Sequence, residues 1–159
     1  MKTEELRKKT CCFTGHRELA AEKRPEIARR TAEAVRRLIL ERGVRFFGVG
    51  GAVGYDTLAA EVLFRLRERE FPCIKVILVY PFGCFANRPG EYTALLPKFD
   101  KIVRIGKSPG REACLARNRH LVDGAAYCIA YCTRTKGGTA YTLDYAGRQG
   151  LTVCNLADL

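Results

Sequence analysis

Gly48-Val49-Gly50-Gly51-Ala52-Val53-Gly54-Tyr55-Asp56 is the stretch that decides how this chain folds. It follows the apolar, β-branched run Val44–Val49. It leads into Asp56–Arg69, where Leu58, Ala59, Val62, Leu63 and Leu66 recur at helical spacing. A strand, a glycine turn and an amphipathic helix in immediate succession make half of a βαβ unit, with Asp56 as the expected N-cap. The same turn carries chemistry. Glycine lets backbone N–H groups approach a ligand and accepts positive φ, while the helix start adds unpaired donors and the positive end of its dipole.

The alternation repeats in both directions from this stretch. Strand-like runs are Cys11–Thr14, Val44–Val49, Ile74–Tyr80, Lys101–Ile105, Tyr127–Cys132 and Leu151–Asn155, several of them apolar on both faces, as strands covered by helices on each side should be. Helical segments lie between them. Pro25–Glu41 begins with proline in its first turn and turns Ile27, Thr31, Ala34, Val35, Leu38 and Ile39 inward, with its arginines facing away. Arg111–Val122 and Thr139–Arg148 follow later, the last ended by Gly150, and a shorter helix falls near Glu91–Leu96. The expected architecture is α/β, a three-layer Rossmann-like sandwich with a mainly parallel sheet, forming a single domain over residues 1–159.

In open α/β sheets ligands bind outside the carboxyl ends of the strands, and the special residues of this chain fall there. Thr14-Gly15-His16-Arg17 follows the first strand, the stretch quoted above the second, Tyr80-Pro81-Phe82 the third, and Thr135-Lys136-Gly137-Gly138-Thr139 the fifth. The candidate ligand-binding residues are therefore Gly15, His16, Arg17, Gly50, Gly51, Gly54, Asp56, Gly137, Gly138 and Thr139. Arg17 offers a phosphate its fork of donors, and His16 either touches the ligand or braces its loop. On Arg111–Val122, Asn118 shares the inner stripe of Cys114, Leu115, Leu121 and Val122, so its amide needs a partner; Arg117 beside it is a candidate for a second anionic group. Tyr80, Phe82 and Phe85 either flank a base or close the core.

Common nucleotide motifs fail. Gly106-Lys107-Ser108 resembles the end of a Walker A loop, but Lys101 stands at the leading glycine and Pro109-Gly110 follows where a helix should start. Val53 occupies the third glycine position of a dinucleotide fingerprint, and the next strand ends in Tyr80 without an acidic residue for a ribose hydroxyl.

The combination TGHR at Thr14–Arg17, GGAVGYDTLAAE at Gly50–Glu61, Arg117-Asn118 ahead of Val122-Asp123, and KGGT at Lys136–Thr139 resembles the SLOG superfamily. It looks most like the small YpsA-like members; the superfamily also includes the DNA-processing protein A (Smf) proteins and the LOG phosphoribohydrolases. The resemblance spans Cys11 to about Asn155 and implies a Rossmann-like fold binding a nucleotide or a nucleotide-derived ligand. LOG enzymes carry a catalytic glutamate in a P-G-G-x-G-T-x-x-E loop. Here Ala140-Tyr141-Thr142-Leu143 follows Thr139, and Asp144 lies about one and a half helical turns on, on a different face. Glu61 is the best-placed carboxylate of the second helix, although a solvated or ion-paired role competes.

Composition bounds the partners. Lys and Arg number 28 against 17 Asp and Glu, a net charge of +11, which suits anionic ligands or nucleic acid. Lys23, Arg24, Arg29, Arg30, Arg36, Arg37, Arg42 and Arg45 concentrate in one stretch, either as a solvated helix face or as a nucleic-acid surface. No run approaches the ~20 apolar residues of a bilayer span, and Met1–Lys9 is charged throughout, so no membrane contact and a cytoplasmic location are expected. The eight cysteines form no C-x-x-C pair and read as free core thiols, leaving no metal or cofactor called for. The expected function is a sensor-type domain binding a phosphate-bearing, nucleotide-type small molecule. N-glycosidic hydrolysis and single-stranded nucleic-acid binding are the alternatives, and self-association is left open.

Overall fold

The computed structural model describes residues 3–81, 90–108 and 110–158. In chain order the elements are α1 Thr3–Lys8, β1 Thr10–Gly15, α2 Arg24–Arg42, β2 Phe46–Val49, α3 Tyr55–Arg69, β3 Lys75–Pro81, α4 Gly90–Leu95, β4 Lys101–Ile105, α5 Arg111–Asp123, β5 Tyr127–Tyr131, α6 Gly138–Arg148 and β6 Thr152–Asn155. All six expected strands form, and the expected helices begin and end within two residues of their sequence limits. Helix α1 was not foreseen: its sequence TEELRK buries no residue and so carries no apolar period. Phe82, Cys84, Phe85 and Pro109 lie outside the described residues.

The six strands form one sheet in the order β4-β3-β2-β1-β5-β6, and every neighbouring pair is parallel. The chain runs outward from β1 to β4, then returns to the other side of β1 for β5 and β6. Right-handed crossovers in opposite directions place their helices on opposite faces. Side chains of β1 alternate accordingly. Cys11 and Phe13 join the core against α2 and α3 with Ile27, Val35 and Leu63, while Cys12 packs toward α5 and α6 with Val122 and Ala146. The helix–sheet–helix sandwich and its parallel sheet are as expected. The inner stripe of α3 is buried in full, whereas on α2 only Ile27, Thr31 and Val35 are fully covered.

Cys11, Cys12, Cys128 and Cys132 are buried free thiols. Hydrogen bonding to its cross-strand partner Cys128, together with burial, pushes the Cys12 thiol well up, and burial does the same for Cys11. Such thiols behave as small hydrophobes. Among the described residues no helix is long and apolar enough to cross a membrane.

Candidate functional site

Because β1 and β5 are adjacent while their connections leave in opposite directions, a crevice opens beyond their carboxyl ends. A cleft of about 840 Å³ occupies this switch point. Thr14 to Glu18 from the β1 loop and Arg134 with Lys136 to Thr139 from the β5 loop form two walls; Ala52, Asp56 and the start of α5 complete it. Its cations are Arg17, Arg111, Arg117, Arg134 and Lys136, set against the carboxylates Glu18 and Asp56. Helices α5 and α6 both begin here behind glycine N-caps, Gly110 at φ 127° and Gly137 at φ 105°, and neither cap supplies a side-chain hydrogen bond. Their first-turn N–H groups therefore meet the cleft with the positive ends of the helix dipoles.

The glycines of the second loop stand behind this cleft rather than in its wall. Gly54, at φ 79°, sits where a side chain would collide with the Arg17 carbonyl and come within 2.6 Å of the His16 carbonyl. That close approach lets the Tyr55 N–H donate to the His16 carbonyl at 3.0 Å, tying the start of α3 to the β1 loop. Gly15 has a packing reason as well, since a Cβ there would lie 2.5 Å from the Tyr55 ring. Tyr55 itself is fully buried, with its hydroxyl 2.9 Å from Thr31 Oγ1.

Asp56 is not the N-cap of α3, which is Gly54. It lies one residue inside the helix, where its carboxylate turns back to accept the Ala52 N–H at 3.1 Å. The geometry is that of a loop closure, reinforced by Thr57 Oγ1 donating to the Ala52 carbonyl at 3.0 Å. The Asp56 side chain nonetheless reaches the cleft. Its carboxyl oxygens suit a hydroxyl donor of a ligand.

The sequence favoured Asn118 as the buried polar residue of α5; the structure buries Arg117 instead, at 4 % exposure, and leaves Asn118 half-buried. Arg117 donates from Nη1 to the Gly50 carbonyl and from Nε to Asn118 Oδ1 at 2.6 Å, both neutral acceptors. The Asn118 amide then donates to Thr142 Oγ1 at 2.9 Å, linking α5 to α6. Gly50 is the pivot: a Cβ there would approach within 2.8 Å of Arg117 Nη1 and 2.9 Å of Asp56 Oδ2. Of the expected stripe, Leu121 and Val122 are buried, but Ala113 and Arg117 are covered in place of Cys114 and Asn118, the guanidinium reaching the buried loop along its own length.

His16 is also buried, at 9 % exposure. Its Nε2 accepts the Thr133 N–H at 2.8 Å, so the neutral ring carries its proton on Nδ1. Burial first, and then Arg134, lower its pKa from 6.5. Arg17 is exposed at the rim, with Nη2 3.8 Å from Cys114 Sγ. Of the other candidates, Tyr80 closes the core and accepts a bond from Arg104 Nε at 3.0 Å. Glu61 faces a groove between α2 and α3, and Asp144 pairs with Arg148 at 2.9 Å on an exposed surface; neither lines the cleft. On α2, Arg29 and Arg30 hold the Glu26 carboxyl down to about 2, and Arg36 pairs with Glu70 at 2.7 Å.

Fold and cleft together define a Rossmann-like α/β protein with a crevice at the switch point of a parallel sheet. No family model matches the chain. A UPF0398 protein of Bacillus licheniformis is 28% identical over 116 residues, covering 68% of this chain, and one of Shouchella clausii is 33% identical over 86 residues, covering 51%. Those stretches amount to 63% and 46% of the relatives' own lengths, so the chain spans roughly half to under two thirds of what it matches. Among solved structures, DNA processing protein A from Streptococcus pneumoniae superposes with a TM-score of 0.71 at 19% identity, over 93% of this chain and 50% of that one. The Helicobacter pylori protein, described for its single-stranded DNA binding mode, gives 0.67 at 19% identity, over 96% of this chain and 67% of that one. These relatives and structural neighbours agree with the chain's resemblance to the YpsA-like proteins of the SLOG superfamily, and the solved structures share its Rossmann-like fold.

Proposed function

We propose that the β1/β5 cleft binds a phosphate-bearing, nucleotide-type ligand, with the start of α6 and Arg17 receiving the phosphate. The observation that carries this reading is the excess of cations in the cleft, Arg17, Arg111, Arg117, Arg134 and Lys136 against Glu18 and Asp56, where α5 and α6 begin behind glycine N-caps. Arg117 has the Asp56 carboxyl group beside it at Gly50, so the surplus positive charge that an anion entering the cleft would offset comes from Arg17, Arg111, Arg134 and Lys136. Asp56 then faces the ligand's hydroxyl-bearing portion. Gly15, His16, Gly50, Gly51 and Gly54 act by shaping the walls, while Arg17, Arg117, Asn118, Gly137, Gly138 and Thr139 present donors.

The test is thermal stabilisation by matched nucleosides and nucleoside phosphates, with mass spectrometry of any ligand that co-purifies. Stabilisation requiring the phosphate supports the reading. Equal stabilisation by nucleosides, or none from a broad nucleotide panel, rejects it.

A second reading has single-stranded nucleic acid laying its backbone phosphates in the same cleft. Its support is the excess of cations there together with the Helicobacter pylori neighbour's DNA binding. The basic helix α2 adds less than its sequence promised, because Arg29, Arg30 and Arg36 are engaged by Glu26, Glu33 and Glu70. Affinity that rises with oligonucleotide length and falls steeply with salt distinguishes this reading from mononucleotide binding.

A further inference from the structure

Two buried polar groups of the β1 wall have no partner within the protein. Thr14 stands next to Gly15 at the carboxyl end of β1 and is 7 % exposed. It lines the cleft, and its hydroxyl makes no hydrogen bond among the described residues. His16, two residues further on, lines the same cleft. Its Nε2 is taken by the Thr133 N–H, so the proton of the neutral ring lies on Nδ1, and that N–H has no acceptor among the described residues. Buried polar groups are normally paired, because a hydroxyl or N–H taken from water without a new bond loses free energy. Two such groups side by side in a cleft are placed to bond a ligand.

On the reading of the cleft as a nucleotide site, we propose that Thr14 and His16 bond the hydroxyls of the ligand's sugar, so that the cleft selects ribonucleotides over deoxyribonucleotides. A sugar hydroxyl both donates and accepts, and the cleft offers a matching set. His16 Nδ1–H donates, the Asp56 carboxyl oxygens accept, and Thr14 Oγ1 does either. A nucleobase, by contrast, is held largely by stacking on aromatic rings, and among the described residues no Phe, Tyr or Trp lines the cleft. Position agrees with the sugar. His16 is bonded to Thr133, four residues ahead of the Gly137 cap of α6. The pair therefore sits beside the place assigned to the phosphate, as a ribose sits beside its 5′-phosphate. His16 thus has one nitrogen for bracing its loop and the other for the ligand.

The probes are the common ribonucleoside 5′-monophosphates, their 2′-deoxy and 3′-deoxy counterparts, and inorganic phosphate, titrated by calorimetry. A ribonucleotide that binds is expected to bind roughly tenfold or more tightly than a deoxy counterpart, since the missing hydroxyl leaves Thr14 or His16 buried without a partner. Thr14→Val removes the hydroxyl at nearly constant shape. The amide oxygen of His16→Gln can still accept the Thr133 N–H, but that side chain has no donor at the Nδ1 position. Each variant is expected to shrink the preference to under about threefold, whereas Thr14→Ser, which keeps the hydroxyl, retains it. Thr14→Val breaks no bond among the described residues, so its melting temperature without ligand should match or exceed that of the wild type. A fall of more than about 4 °C would make the hydroxyl structural and overturn the proposal. Equal affinity for ribo and deoxy forms overturns it while leaving the phosphate reading standing; binding of no nucleotide overturns both. A preference that persists in folded Thr14→Val and His16→Gln places the hydroxyl contacts elsewhere and overturns it. So does an equal loss of inorganic phosphate binding in both variants, which would set the phosphate itself on Thr14 and His16.

Discussion

His16 Nε2 accepts the backbone N–H of Thr133 at 2.8 Å, so the loop after β1 is held to the loop after β5 across the switch point of the sheet. The bond needs an unprotonated Nε2, and burial together with Arg134 keeps the imidazole below its ordinary pKa of 6.5. The unfolded chain thus binds a proton more readily than the folded one. The stability this provides is complete above pH 6.5 and is lost as pH falls from there through the lowered folded value.

His16→Ala is therefore expected to lower stability by about 1–2 kcal/mol at neutral pH, by leaving the Thr133 N–H without its acceptor. It should also flatten the decline in stability as pH falls below 6.5. Urea unfolding of both proteins at several pH values checks it; parallel pH profiles would contradict the protonation account.

Two glycine replacements separate close approach from backbone conformation. Gly54→Ala meets both a positive φ and the carbonyls of Arg17 and His16, whereas Gly137→Ala meets the positive φ with nothing within 4 Å of its new Cβ. The first is expected to cost about 3 kcal/mol or more and the second about 1 kcal/mol. Denaturation midpoints with unchanged m-values measure both.

Arg17 stands exposed at the cleft rim, so Arg17→Ala should change stability without ligand by under about 0.5 kcal/mol. Wild-type protein at 100 times the dissociation constant gains roughly 2.7 kcal/mol, a melting shift of about 5–10 °C for a chain of this size. Arg17→Ala should lose most of that shift at the same nucleotide concentration. Arg117→Met should lose it as well and, unlike Arg17→Ala, should lower the melting temperature of the free protein, because the bonds to Gly50 and Asn118 vanish with the guanidinium.

Nucleoside monophosphates incubated with the protein should release little free base, as followed by chromatography. The start of α6 carries Thr139 and then no glutamate, and the cleft's carboxylates are Glu18 and Asp56 among the described residues. Glu61→Gln and Asp144→Asn should leave even trace release unchanged, since neither side chain lines the cleft. Robust release abolished by Asp56→Asn would make the protein an N-glycosidase.

The sequence by itself determined the elements and their class. Strand β4 has the limits expected of it, and the stripe Leu58, Ala59, Val62, Leu63, Leu66 is buried as expected, because apolar periodicity is a local property written along the chain. The glycine turns were likewise legible as strand-to-helix junctions. What only the tertiary structure decided is which junctions meet. Strand order places β1 beside β5, so the loops of Gly15–Arg17 and Gly137–Thr139 share one cleft, while the glycines of the Gly50–Gly54 loop support it from behind. The same non-local packing carried Arg117 into the wall ahead of Asn118, turned Asp56 back onto Ala52 and set Glu61 in the other groove. Spacing along a helix gives the angle of a side chain about its axis. Where a long guanidinium or carboxylate comes to rest depends on partners distant in sequence, and those exist only once the sheet has assembled.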